Sequence, residues 1–153
     1  MFGLIISVIL FNTAAIITVK RFTKNQIVHI WTFTMIFQFF VDLYLGHKYQ
    51  AYWYFSKEIE WSALPALTLL GPPAILLFLN RFPFQTSLLK RFLYISLWSI
   101  VLIIYEALAS LPEPWGFFNY GWWKLAYSAP IYPFLLIIAL SYYKWICSLE
   151  KTS

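Results

Sequence analysis

A single cysteine, Cys147, excludes an intrachain disulfide and any cysteine-based metal cluster, so neither a redox pair nor a structural zinc has support. Charge is almost as scarce. Only 11% of the 153 residues are Asp, Glu, Lys or Arg, against 61% hydrophobic and 22% aromatic, whereas a soluble domain of this length needs a polar face on most of its elements. Catalytic signatures are missing too: there is no Gly-x-Ser-x-Gly elbow, no His-Glu-x-x-His, no phosphate-binding glycine loop and no Cys-x-x-Cys. These absences leave no catalytic residue, metal or cofactor assigned. They disfavour an enzyme without excluding one, because membrane enzymes acting on lipids can use scattered acids and aromatics.

What is present is apolar sequence in long runs. Five segments approach the roughly 20 residues that carry a helix across ~30 Å of hydrocarbon: residues 1–19, 27–45, 62–79, 92–111 and 125–146. The expected fold is all-α, a single transmembrane helical bundle over residues 1–153 with about five spans. The first run has no basic residues ahead of it and no small-x-small cleavage site after it; Lys20, Arg21 and Lys24 follow instead. It therefore reads as a retained anchor with the N-terminus outside and the C-terminus cytoplasmic.

The basic residues support that alternation. Lys20, Arg21, Lys24, Arg81, Lys90, Arg91, Lys144 and Lys151 fall on one side of the five spans, and Lys48, Lys57 and Lys124 on the other. The larger group is expected at the cytoplasmic face, against anionic lipid headgroups. A formal net charge of +5 could suggest nucleic acid, but here the cations punctuate apolar runs instead of patching a soluble surface. Nucleic acid is excluded as a partner; membrane lipids, and other membrane-protein subunits, are the expected ones.

Both outer connectors are crowded with Trp and Tyr. Trp53, Tyr54, Trp61, Trp115, Trp122 and Trp123 form a candidate outer aromatic surface. Amphipathic rings settle at headgroup level, so an aromatic belt is one reading and an outward groove for an apolar or lipid-like ligand the other. Within the third segment, Gly71-Pro72-Pro73 either kinks the helix for packing or breaks it, and carbonyls freed at membrane depth need donors.

Asp42 and Glu106 are the informative pair, because a carboxylate within a span costs on the order of 2.5–3.5 kcal/mol on insertion scales. Both are expected at similar depth, in the outer third of the bilayer. Thr34, Gln38 and Asp42 recur every four residues and stack on one helix face. Ser99, Glu106 and Ser110 share a face on the fourth segment, and Asn12 is a further inward candidate on the first. No basic residue lies deep in any segment. The acids are then protonated, or hold a proton or cation between them, or sit shallow enough to reach His47, Lys48 or outer water. His29 and His47 stand about 27 Å apart on one helix and cannot share a metal.

The stretch from Leu70-Gly71-Pro72-Pro73 to Asn80-Arg81-Phe82-Pro83-Phe84, followed by the segment that carries Trp98 and Glu106, resembles small uncharacterised polytopic membrane proteins of endospore-forming Firmicutes. That resemblance covers the last four segments. It implies a bacterial cytoplasmic membrane and a compact helical bundle, and brings no activity, cofactor or catalytic residue with it. Short connectors and few polar positions favour a non-enzymatic structural or accessory subunit of a membrane assembly. The alternatives are a small proton- or cation-coupled transporter using Asp42 and Glu106, and a lipid-modifying membrane enzyme.

Overall fold

The structure, a computed structural model, describes residues 1–58 and 60–152. Its elements in chain order are α1 (Phe2–Thr18), α2 (Lys24–Val41), which continues as a π-helical turn (Asp42–Lys48), β1 (Tyr52–Tyr54), α3 (Leu64–Leu69), α4 (Gly71–Asn80), α5 (Leu88–Ala109), β2 (Phe118–Tyr120) and α6 (Leu125–Thr152). The all-α expectation holds, apart from one small two-stranded ribbon.

Four helical segments are long and apolar enough to cross a membrane: Lys24–Lys48, Trp61–Asn80, Leu88–Ala109 and Leu125–Lys151. α1, at 17 residues, reaches only about 26 Å. Large apolar side chains stand exposed along the helices, among them Ile5, Ile9, Ile16, Leu97, Ile104 and Phe134. In a water-soluble protein such continuous exposure would be a liability; against acyl chains it is the solvated state.

The helices alternate in direction and give the bundle two unlike ends. At the basic end, where α1, α4 and α6 finish and α2 and α5 begin, apolar side chains interlock. Ile30, Leu76, Phe78, Leu79, Phe82, Leu136, Leu140 and Tyr143 form one buried cluster. The Phe78 ring packs against Phe82, Tyr94 and Trp98 at centroid separations of 5.7, 5.6 and 5.9 Å, the offset and edge-on geometries that the ring quadrupoles favour. Polar closures finish this end. Thr23 and Gln26 form a capping box at the start of α2, and Gln26 and Asn25 both donate to Glu150 on α6. The Arg21 guanidinium lies over the Phe84 ring at 4.5 Å and donates to Phe82 O at 3.1 Å, just beyond the end of α4.

The third segment is broken, not merely kinked. α3 ends at Leu69 and α4 starts at Gly71, because Pro72 and Pro73 have no N–H to return to the carbonyls four residues back. Pro73 frees the carbonyl of Leu69, and donors from neighbouring helices reach this region. Asn12 Nδ2 donates to Leu69 O at 2.7 Å, and Gln38 Nε2 to Ala66 O at 3.5 Å. This is how irregular backbone survives at membrane depth. By contrast, α6 runs on as one helix through Pro130 and Pro133.

At the opposite end β1 and β2 pair antiparallel in the register Tyr52↔Tyr120, Trp53↔Asn119, Tyr54↔Phe118. Alternation places Tyr52, Tyr54, Phe118 and Tyr120 on one face and Trp53 and Asn119 on the other. Gly121 closes the ribbon: its N–H donates to Ala51 O at 2.8 Å, and a side chain there would overlap the backbone oxygen of Gln50.

Candidate functional site

Asp42 and Glu106 reach the site from α2 and α5, which both run from the basic end to the ribbon end, so residues late in each helix arrive at similar depth. Asp42 is the first residue of the π-helical turn. The i→i+5 bonding that follows, with Tyr49 N–H donating to Tyr44 O, widens the helix where Asp42 must enter the bundle. Both carboxyl side chains are buried, each at 7% exposure.

The hydrogen bonding of the two acids differs. Glu106 accepts from Tyr120 Oη at 2.7 Å, from Ser128 Oγ at 2.8 Å and from Tyr132 Oη. Three hydroxyl donors therefore cover both its oxygens, and Ser128 in turn accepts from Trp123 Nε1 at 2.9 Å. Asp42 accepts one bond, from Tyr52 Oη to Oδ1 at 2.5 Å. Its Oδ2 is buried with no hydrogen-bond partner among the described residues. The tyrosines holding the two acids, Tyr52 and Tyr120, are directly opposed across the ribbon. Burial pushes the Tyr52 and Tyr54 hydroxyls well above the usual phenol range, with the nearby Asp42 carboxyl adding to it. Tyr120 is pushed up to about 12, again by burial first. All three remain O–H donors at neutral pH.

Beneath the ribbon lies a cavity of about 280 Å³ between α2, α4, α5 and α6. Its ribbon end is polar, with Asp42, Tyr52, Tyr54, Glu106, Ser128 and Tyr132 in the wall, and its deeper end is apolar, with Phe33, Ile75, Leu102, Leu136 and Ala139. Among the described residues, no Lys, Arg or His lines it. Asp42 and Tyr52 also line a second cavity of about 210 Å³ on the other side, a vestibule whose wall includes His47, Ser56, Glu58 and Glu60. Asp42 thus forms part of the partition between the two spaces.

The expected residues separate on this geometry. Thr34, Gln38, Asp42 and Glu106 come together along one cavity. Thr34 donates to Ile30 O of its own helix, and Gln38 serves the α3–α4 break. Ser99 does not join them: its hydroxyl donates to Ile95 O at 2.8 Å, and about 10 Å of helix separates it from Glu106. The aromatic surface divides as well. Trp61, Trp115 and Trp122 are exposed, as a belt requires, whereas Tyr54 and Trp123 line the cavity and half-buried Trp53 carries Lys57 Nζ at 4.8 Å from its ring.

Four hydroxyl groups of the site, those of Tyr52, Tyr120, Ser128 and Tyr132, were not anticipated from sequence. Ser128 and Tyr132 lie four residues apart on α6, the spacing that singled out Thr34, Gln38 and Asp42 on α2. Among the described residues, no group of three or more His, Cys, Asp or Glu side chains is arranged to hold a metal ion. No protein-family model matches this sequence, and no curated protein or solved structure matches it either.

Proposed function

We propose that this chain is a multi-pass protein of the cell membrane, with the N-terminus outside and the C-terminus cytoplasmic, and that it works as a small proton- or cation-coupled transporter centred on Asp42, with the hydrogen-bonded Glu106 beside it. In this reading α1 is a fifth crossing, short enough to require local thinning of the bilayer or little tilt. The gathering of basic residues at one end supports the orientation.

The observation that carries the transport reading is the placement of Asp42. A buried carboxylate oxygen without a protein donor is costly, and this one stands between an acid-lined vestibule and an inner cavity. The broken third helix beside it supplies the irregular backbone that carriers use near their binding sites. A purely contact-making accessory role has no comparable observation behind it, since exposed apolar faces serve lipid as well as partner helices. Acid–base work on a lipid would need Glu106 free to exchange protons, and its oxygens are already engaged by three hydroxyls.

Uptake into vesicles containing the purified chain tests this reading. Asp42→Asn should abolish cation- or proton-driven flux, and Glu106→Gln should reduce it. Unchanged flux in both folded variants would end the transporter proposal.

A further inference from the structure

The inner cavity combines features that do not suit a bare inorganic ion. Its wall carries two acids and no basic side chain, so a cationic guest is favoured. Of the two acids, Glu106 is covered by three donors, while Asp42 Oδ2 is buried without a donor among the described residues. One unpartnered carboxylate oxygen falls short of the several oxygen ligands that a hard metal ion requires, whereas an ammonium group needs only an acceptor for its N–H donors. Below the acids the wall turns apolar, through Ile75 and Leu102 to Leu136 and Ala139, and a hydrated ion gains nothing there. At the acid end the rings of Tyr52, Phe118 and Trp123 stand by the carboxylates, a setting that favours organic ammonium groups.

Size can be argued in the same way. An apolar cavity of roughly 150 Å³ accommodates benzene, six heavy atoms, so 280 Å³ accommodates about eleven. Along α2, Asp42 and Phe33 are separated by about 13 Å of helix rise, the scale of an extended chain of that size. The approach is also prepared: Glu58 and Glu60 line the vestibule, and hydrogen bonds from Ser56 and Ser62 hold the exposed Glu60 carboxyl below its ordinary range, so it is charged at neutral pH and attracts cations.

Resting on the transporter reading and narrowing it, we propose that the ligand of this cavity is an amphiphilic organic monocation, a protonated alkylamine of roughly ten carbons. Its ammonium group donates to Asp42 Oδ2, and its chain lies in the apolar half of the cavity between α4, α5 and α6.

The test is equilibrium binding of radiolabelled decylammonium to the full chain in phosphatidylcholine nanodiscs, with empty nanodiscs subtracted. The expected result is saturable binding at one site per chain. Decanol and decanoate should compete at least about tenfold more weakly, and Asp42→Asn should weaken decylammonium binding about ten- to a hundredfold, as expected for a hydrogen bond to a charged group. Ala139→Phe, which fills the deep end, should weaken decylammonium while sparing butylammonium. This chain-length selectivity of Ala139→Phe decides the matter if Asp42→Asn fails to fold. Equal competition by decanol, an unaffected Asp42→Asn protein, or chain-length independence in Ala139→Phe would overturn the proposal. Asp42-dependent proton or potassium flux without saturable decylammonium binding would overturn it and leave the transporter standing. Saturable binding without flux of any cation would do the reverse.

Discussion

The two ends of the bundle are built from the same helices and solve different problems. At the basic end, α2, α4, α5 and α6 converge on Phe78, Leu79 and Leu136, and apolar side chains interlock. At the ribbon end the same helices line a cavity beneath a pair of three-residue strands, beside a smaller buried cluster of Leu4, Ala66, Ala109 and Phe117. Lipid tails are as apolar as leucine, so burying apolar surface gives little net drive within a membrane, and van der Waals contact and hydrogen bonding decide where a bundle is tight. Contact dominates in the Phe78 cluster, and hydrogen bonding dominates around the two acids. Within the ribbon end the contrast repeats between the acids: Glu106 accepts from three hydroxyls, and Asp42 keeps one oxygen without a donor among the described residues.

Substitutions at each end sharpen that contrast. The largest loss of stability is expected for Glu106→Leu, which leaves the hydroxyls of Tyr120, Ser128 and Tyr132 without their acceptor; at 1–3 kcal/mol for an unsatisfied buried group, about 3 kcal/mol or more should appear in reversible unfolding in mixed micelles. Phe78→Ala should follow, at on the order of 2 kcal/mol from the cavity it leaves among rings that cannot collapse inward. Asn12→Leu removes the donor to Leu69 O and should cost about 1 kcal/mol. Amide exchange should quicken in residues 66–74, around the break, more than elsewhere. Asp42→Asn should be the mildest, within about 1 kcal/mol of the parent, since a single accepted bond is at stake. Equal destabilisation by Glu106→Leu and Asp42→Asn would erase the distinction between the two acids.

Much of the bundle was legible because membrane helices declare themselves by length and apolarity alone. The stripe of Thr34, Gln38 and Asp42 was legible because i, i+4 spacing fixes a face whatever the tertiary context. Glu106 stood out by its cost. Ser99 shared its face by periodicity, yet a helix serine can satisfy itself on the carbonyl four residues back, and here it does. The ribbon escaped notice for a different reason. Its strands are only three residues long, lie more than sixty residues apart in sequence and carry aromatics on both faces, so no polar–apolar alternation marks them. The same composition concealed Tyr52 and Tyr120, because a tyrosine at a membrane boundary reads as belt until a carboxylate is seen under its hydroxyl. The break at Gly71 was signalled by two successive prolines, but the choice between kink and break depended on whether neighbours could serve the freed carbonyls. Asn12, on α1, serves the carbonyl that Pro73 frees, and Gln38, on α2, reaches Ala66 O one turn earlier.

The pairing of Tyr52 with Tyr120 makes the ribbon a crossbar between two otherwise separate latches. Each tyrosine fastens one carboxylate, on a different helix, and the two are rigidly opposed on the same face of the ribbon. A hinge-like lift of the crossbar would take a donor from Asp42 and from Glu106 together, leaving Glu106 held by Ser128 and Tyr132 and Asp42 by neither, whereas withdrawing either tyrosine alone would require the strands to shear past each other and give up their register. Any motion that opens this end of the bundle therefore acts on α2 and α5 in concert.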